Sequence, residues 1–429
     1  MKKIFLLVAA GNLFLFACGQ KTDELITLSE VERIEKTLSA DEMMGRKIFT
    51  PGIEKAAKFI CDEMKHAGLK KMKGSDGYFQ SFSMFTPKFL SAKGNMDGAE
   101  IPGSNIVAFT SKQLLQVDEK SGYRIITIAA TDDFRTKVFP LIRAKENLLI
   151  LVDTAQARLF NQLKRFKNAQ FKSAFSQVFI LTNTAQFAAY SFTIQHSFEE
   201  QKLANVMGVL PGKSRKDEYV IFSGHYDHLG FGKPNDKMDS LYNGANDDAS
   251  GITAVLQLAK YYKAMDNNER TLVFVAFTAE ESGGFGSTYF SQQMDAAKVM
   301  AMFNIEMIGT ESKWGNNSAY ITGYEKSDFG KILEQNLTGT AFKFYPDPYT
   351  AQNLFYRSDN ATLARLGVPA HTISTSKMDN EPHYHKASDE IGTLDLKNMT
   401  EVIKSIAISA ASIVAGKDTP SRVKVEDLR

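Results

Sequence analysis

Apolar positions along this chain recur in two rhythms, and each predicts a different kind of element. Ile53, Ala57, Ile60, Met64 and Ala67 fall three and four residues apart, the spacing of one helix face. The stretch 39–69 that holds them opens on Ser39-Ala40-Asp41-Glu42 and passes Pro51-Gly52, so an amphipathic helix stopped by Gly68 is predicted. Cys61 lies beside the stripe and reads as a half-buried structural thiol. Residues 104–109 form a short apolar strand. From about 111 to 203 apolar runs (124–130, 147–152, 177–181) alternate with basic, polar stretches holding one histidine, His196, and this reads as an inserted module. From Asn205 strands and helices alternate over 219–223, 251–262, 271–277 and 301–307, which argues for an α/β sheet with helices on both faces. Met399, Val402, Ile406 and Ile413 close the domain as a helix, and 417–429 reads as a frayed tail.

The first residues follow neither rhythm. Met1-Lys2-Lys3 and the uncharged stretch 4–17 have the basic and apolar regions of a secretory signal, too short to span a bilayer comfortably. The junction Leu15-Phe16-Ala17-Cys18 resembles a bacterial lipoprotein box, in which the cysteine is acylated and becomes the new N-terminus. That resemblance implies anchorage through Cys18 in the bacterial cell envelope, at the outer membrane, with residues 18–27 as a polar tether. The chain has 429 residues, enough for two to three domains of about 150 residues. At 43% hydrophobic and 23% charged it is a folded globular protein rather than a disordered, collagenous or repeat chain. Lys+Arg 51 against Asp+Glu 49, less Lys2 and Lys3, leaves 49 against 49, and this balance gives no general nucleic-acid-binding surface. Cys18 and Cys61 cannot make a disulfide scaffold.

Candidate chemistry gathers where the predicted strands end, the place where ligands bind in open α/β sheets. The run 219–223 leads into Gly224-His225-Tyr226-Asp227, and a metal-binding imidazole needs an acceptor on its other nitrogen, which a carboxylate two residues on can supply. Asn243-Gly244-Ala245-Asn246-Asp247-Asp248 packs two carboxylates into a turn before a helix; helix capping explains one of them but not both. The run 271–277 delivers Thr278-Ala279-Glu280-Glu281, adjacent carboxylates that repel unless a cation or a shared proton relieves them. Glu306, between Ile305 and Met307 in an apolar strand, needs a partner. His383-Tyr384-His385 completes the set.

Together these clusters resemble the co-catalytic di-zinc aminopeptidase family, which also includes glutamate carboxypeptidase-type enzymes, glutaminyl cyclases and the transferrin receptor. The stretch from Ser39 through Gly45-Arg46 to Leu69, then Tyr78-Phe79-Gln80-Ser81-Phe82 and 205–212, carries the same resemblance. It implies a three-layer sandwich, a mostly parallel central sheet flanked by helices, with a smaller inserted α+β or β-rich domain of protease-associated type. The expected organisation is a leader (1–17), tether (18–27), N-terminal part of the peptidase domain (28–110), insert (111–203), catalytic domain (204–416) and tail (417–429).

The resemblance also implies two zinc ions, with cobalt or manganese as substitutes, held by His225, Asp247, Glu281, Glu306 and His385, with Asp247 bridging. Glu280 is implied as general base, Asp227 as the group orienting His225, Tyr384 as a stabiliser of the tetrahedral intermediate, and Asp247-Asp248 as a cis peptide. Two departures stand out: Glu306 replaces a commoner aspartate, and Asn360 replaces a histidine in Arg357-Ser358-Asp359-Asn360. His228, His371 and His383 match no ligand and read either as structural or as groups that support a ligand from behind. The activity implied is hydrolysis of N-terminal residues from peptides. Glutaminyl cyclisation, carboxypeptidase action with Arg357 as the basic clamp, and a non-catalytic binding role are the alternatives.

Overall fold

The computed structural model describes residues 21–164 and 169–428. The leader and Cys18 lie outside the described residues. The chain divides into two compact units, one formed by the described residues up to Phe82 together with those from Leu203 onward, the other by Ser83–Lys202.

In the first unit, helix α1 (Leu28–Leu38) buries Val31, Ile34 and Leu38. Helix α2 (Pro51–His66) buries Ile53, Ala57, Ile60 and Met64 as the stripe predicts, and also Ala56 and Cys61. The apolar face of α2 is thus wider than the stripe, and Cys61 is fully rather than half buried. Strand β1 (Tyr190–Leu210) enters this unit at Leu203, and β2 (Arg215–His225), helix α3 (Ser250–Met265), β3 (Arg270–Phe277), β4 (Val299–Ile305), β5 (Ser318–Ile321), β6 (Lys343–Pro346), β7 (Ala370–Ser374) and helix α4 (Leu396–Ser409) follow. The strands lie in the order β6-β5-β7-β4-β2-β3-β1. The centre, β7-β4-β2-β3, is parallel, while β1 joins β3 and β5 joins β7 antiparallel.

Strands covered on both faces read as unbroken apolar runs, and every residue of β3 is buried. Alternate residues feed opposite cores. Phe222, Phe274 and Phe303 join the helices α1 to α4 on one face, with the Phe222 ring 5.5 Å from Phe274 and 4.9 Å from Phe303. Ile221, Val273, Val275 and Met302 meet Phe290 and Leu363 of the helices on the other face.

In the second unit, Ile106–Phe109, Gln177–Leu181, Leu148–Val152 and Arg124–Ile128 form a four-stranded sheet, antiparallel at the first pairing and parallel at the other two. Phe134 and Phe160, from the helices Phe134–Ile142 and Ala157–Leu163, cover one face. The unit begins at Ser83, well before residue 111, because Ile106–Phe109 takes its partner from Gln177–Leu181, a long-range pairing that periodicity does not encode. The C-terminal segment also departs from expectation: Arg422 Nη1 donates to Val299 O at 2.8 Å, the Val423 amide to Gly367 O at 3.1 Å, and Val423 is buried, so these residues are docked rather than frayed. Among the described residues no helix is long and apolar enough to cross a membrane.

Candidate metal centre

Register brings three chain segments to one level. Phe277 of β3 lies opposite His225, the last residue of β2, and Asn304 of β4 lies opposite Ser223. Glu306 therefore leaves β4 at the height of His225, just beyond the strand rather than inside it, while Thr278-Ala279-Glu280-Glu281 leaves β3 beside them. Asp247 comes from the turn ahead of α3, and His385 from the loop after β7. The Asp247-Asp248 peptide is cis. Ala279, Met307 and His385 adopt left-handed backbone conformations, uncommon away from glycine, and each adjoins or is a residue of the cluster.

Asp247 is the hub. Its Oδ1 lies 3.2 Å from His225 Nε2, and its Oδ2 lies 3.2 Å from His385 Nε2. His385 Nε2 is also 3.2 Å from Glu281 Oε1. His225, Asp247 and Glu306 each place one donor atom within 4.8 Å of the others, and so do His228, Asp247 and Glu281. His225 Nε2, Glu281 Oε1 and Glu306 Oε2 are buried without a hydrogen-bond partner. Buried polar atoms are nearly always paired, so orphaned donors converging around Asp247 fit a metal centre. Charge agrees with this. Burial pushes the Glu306 and Asp227 carboxyls up to about 7 and that of Asp359 up to about 6, and drives Glu280 well above the usual carboxylate range. A cation would offset that crowding.

Other acids of the site turn toward backbone. Asp227 accepts the Glu280 amide at 3.0 Å and the Glu281 amide at 3.3 Å, and what sits 3.1 Å from His225 Nδ1 is the carbonyl of Asp227, with its carboxylate at 3.9 Å. The residue thus meets His225 through its main chain, while its carboxylate aims the two glutamates. Asp248 accepts the amides of His225, Gly251 and Met307. A Cβ on Gly251 would stand 2.4 Å from both Asp248 carboxylate oxygens, so only glycine leaves them room. Asp389 accepts the amides of Asn246 at 2.8 Å and Asp247 at 3.0 Å.

The remaining residues sort by distance. Tyr384 stacks on His385, ring centroids 3.9 Å apart, and its hydroxyl is 3.4 Å from Arg357 Nη2. Glu306, Tyr320, Arg357, Ser358 and Tyr384 line one cleft. His371 is structural: its Nδ1 faces Thr322 O at 2.9 Å and its Nε2 faces Ser327 Oγ at 2.7 Å. His383 pairs with Ser388 Oγ at 3.0 Å. Asn360 donates to Phe355 O at 3.0 Å. His228 does not sort with them. It reads as structural or as support for a ligand, and the fold carries it into the cluster, with Nδ1 2.9 Å from Glu281 Oε1. Its spacing of three residues from His225 was the available signal.

Residues 205–409 match peptidase family M28. The chain carries a peptidase family M28 domain. A probable leucine aminopeptidase of Trichophyton verrucosum is 30% identical over 213 residues, 47% of this chain and 54% of that protein. Leucine aminopeptidase 1 of Trichophyton rubrum is 25% identical over 321 residues, 67% of this chain and 81% of that one. The chain spans about half the length of the first curated relatives it matches. A zinc aminopeptidase structure from Bacillus subtilis superposes with a TM-score of 0.53 at 16% identity, covering 94% of this chain and 99% of that one, and shares the fold of the M28 domain. The residues converging on Asp247 all lie within the M28 match, whereas Arg46 and the second unit lie outside it.

Proposed function

We propose that this protein is a zinc-dependent exopeptidase, an aminopeptidase that hydrolyses N-terminal residues from peptides. The observation that carries this reading is Asp247 standing between two imidazole–carboxylate groups within an M28 domain. The names of the relatives, aminopeptidases and a zinc aminopeptidase, favour it further. His225, Asp247 and Glu306 would hold one zinc; Asp247, Glu281 and His385 would hold the other. Their all-nitrogen-and-oxygen donor set suits zinc and also accepts cobalt or manganese. When bound, such a pair polarises the scissile carbonyl and acidifies water.

The chain's own groups do the rest. Glu280, its amide fixed by Asp227, takes a proton from the attacking water and returns it to the departing amine. Burial holds its carboxyl well above the usual carboxylate range. Tyr384, held against His385, donates its hydroxyl proton in a hydrogen bond to the developing oxyanion. Two complete donor groups favour hydrolysis over cyclisation of N-terminal glutamine, which the family resemblance associates with a single zinc. We also read the protein as a lipoprotein of the bacterial cell envelope, anchored at the outer membrane through Cys18.

The test compares zinc content and peptide turnover of the native protein with Glu280→Gln and Tyr384→Phe, on free-amine and N-blocked peptides. Native protein should cleave only free-amine peptides. Glu280→Gln should keep its zinc and lose about 10²-fold or more in rate; Tyr384→Phe should keep its zinc and lose about 10-fold or more. Full activity in Glu280→Gln, or cleavage of blocked peptides, would refute the reading.

A further inference from the structure

We propose that His228 is a third imidazole ligand of this centre, bound through Nδ1 to the ion that Asp247, Glu281 and His385 hold. The inference rests on the two-ion reading above and deepens it.

The His228 side chain has no exposed surface. Its Nδ1 lies 2.9 Å from Glu281 Oε1 and 3.9 Å from Asp247 Oδ2, and its ring centroid stands 5.9 Å from that of His385 at an interplanar angle of 68°. Two imidazoles therefore address one carboxylate oxygen from different directions. The 2.9 Å separation is short enough for a hydrogen bond, yet neither ring nitrogen of His228 makes one, and neither does Glu281 Oε1. Zinc bonds of about 2.0–2.2 Å impose that arrangement: two donors on one ion sit about 2.9 Å apart at a right angle and about 3.4 Å apart at a tetrahedral angle. The His225–Asp247, His385–Asp247 and His385–Glu281 pairs, each at 3.2 Å, fall in the same interval.

A buried imidazole with both nitrogens unpaired carries a desolvation cost that a cation at Nδ1 would relieve. The surroundings also fix the ring. The His228 amide donates to Arg46 O at 3.2 Å, and Gly244, at φ +60°, passes so close that a Cβ there would lie 2.6 Å from ring atoms Cγ and Cδ2. Glycine at this position leaves the ring its room. With His228 included, the second ion has two imidazoles and two carboxylates, and the first has one imidazole and two carboxylates. The richer nitrogen set favours zinc or cobalt over magnesium at the second position.

Zinc-edge X-ray absorption of the zinc-loaded protein counts imidazoles directly. Three imidazoles over two ions give roughly 1.5 per zinc in the native protein, falling to roughly 1.0 in His228→Gln. Calorimetric zinc titration should show two sites in the native protein and, in the variant, one unchanged site and one weakened about 10-fold or more. A native value of 1.0 overturns the proposal, because a ring that only packs or hydrogen-bonds to Glu281 adds no scattering shell. If the variant fails to fold, the native spectrum still decides. Uptake of fewer than two zincs by the native protein overturns the two-ion reading itself, a result distinct from two zincs sharing two imidazoles.

Discussion

Glu35 offers a stability prediction that is independent of catalysis. It lies in α1 with no exposed surface, accepts a hydrogen bond from Thr253 Oγ1 at 2.9 Å on one oxygen, and has no partner on the other. Burial pushes its carboxyl from the ordinary 4.5 up to about 8, against the smaller lowering effects of Thr253 and Arg46. Arg46 is near but does not pair with it, because all five guanidinium N–H groups go to carbonyls. The folded protein therefore holds a proton that the unfolded chain releases above 4.5. The stabilisation from holding it is complete below the unfolded value and is lost as pH rises through the folded one. With those two values the cost of Glu35 is about 0.8 kcal/mol at pH 5 and about 4 kcal/mol at pH 7.5, a change of about 3 kcal/mol. Glu35→Gln keeps the acceptor for Thr253 and removes the titration. Guanidinium denaturation of both proteins in EDTA, which keeps metal-linked protons out of the comparison, should show native stability falling by about 3 kcal/mol relative to the variant between pH 5 and pH 7.5. A difference that stays flat to within about 0.5 kcal/mol over that range would refute the burial argument.

Two other perturbations test the frame and the anchor. Arg46 donates to Leu38, Tyr226, Asn243, Gly244 and Asp247, so Arg46→Lys, with three donors and no planar fork, should orphan buried carbonyls, cost about 3–5 kcal/mol by denaturation and weaken zinc uptake in titration; a loss below about 1 kcal/mol would count against the role. Cys18→Ser should abolish incorporation of labelled palmitate and release the protein from the membrane fraction, and unchanged labelling would rule out Cys18 as the anchor.

The site was legible to the extent that its residues sit where apolar runs stop. His225 ends β2 while Glu280, Glu281 and Glu306 follow β3 and β4, and a titratable residue at the end of a buried strand is visible in one dimension. Asp247 was legible as half of a pair that capping could not explain. What could not be read was the bracing. Arg46 collects carbonyls from α1, from the end of β2 and from the turn before α3, and nothing in its local sequence names those partners. Asp389 fixes the Asn246 and Asp247 amides across a long loop for the same reason. Spacing places His228 near His225 but does not say that the chain turns back toward Glu281.

The acids of the centre divide by what they face, and that division explains how so many carboxylates share one buried place. Asp227, Asp248 and Asp389 accept seven backbone amides between them. Those hydrogen bonds oppose the upward push that burial gives their carboxyls and lock the segments carrying His225, Asp247, Glu280 and Glu281. Asp247, Glu281 and Glu306 keep donor atoms free of such bonds and aim them at the two points where the imidazoles also converge. Bracing by amides does not require a metal to be present, so the ligand geometry is set by the fold rather than gathered by the ion. A site of that kind presents its donors already oriented, and ligand binding then loses less free energy to ordering the chain.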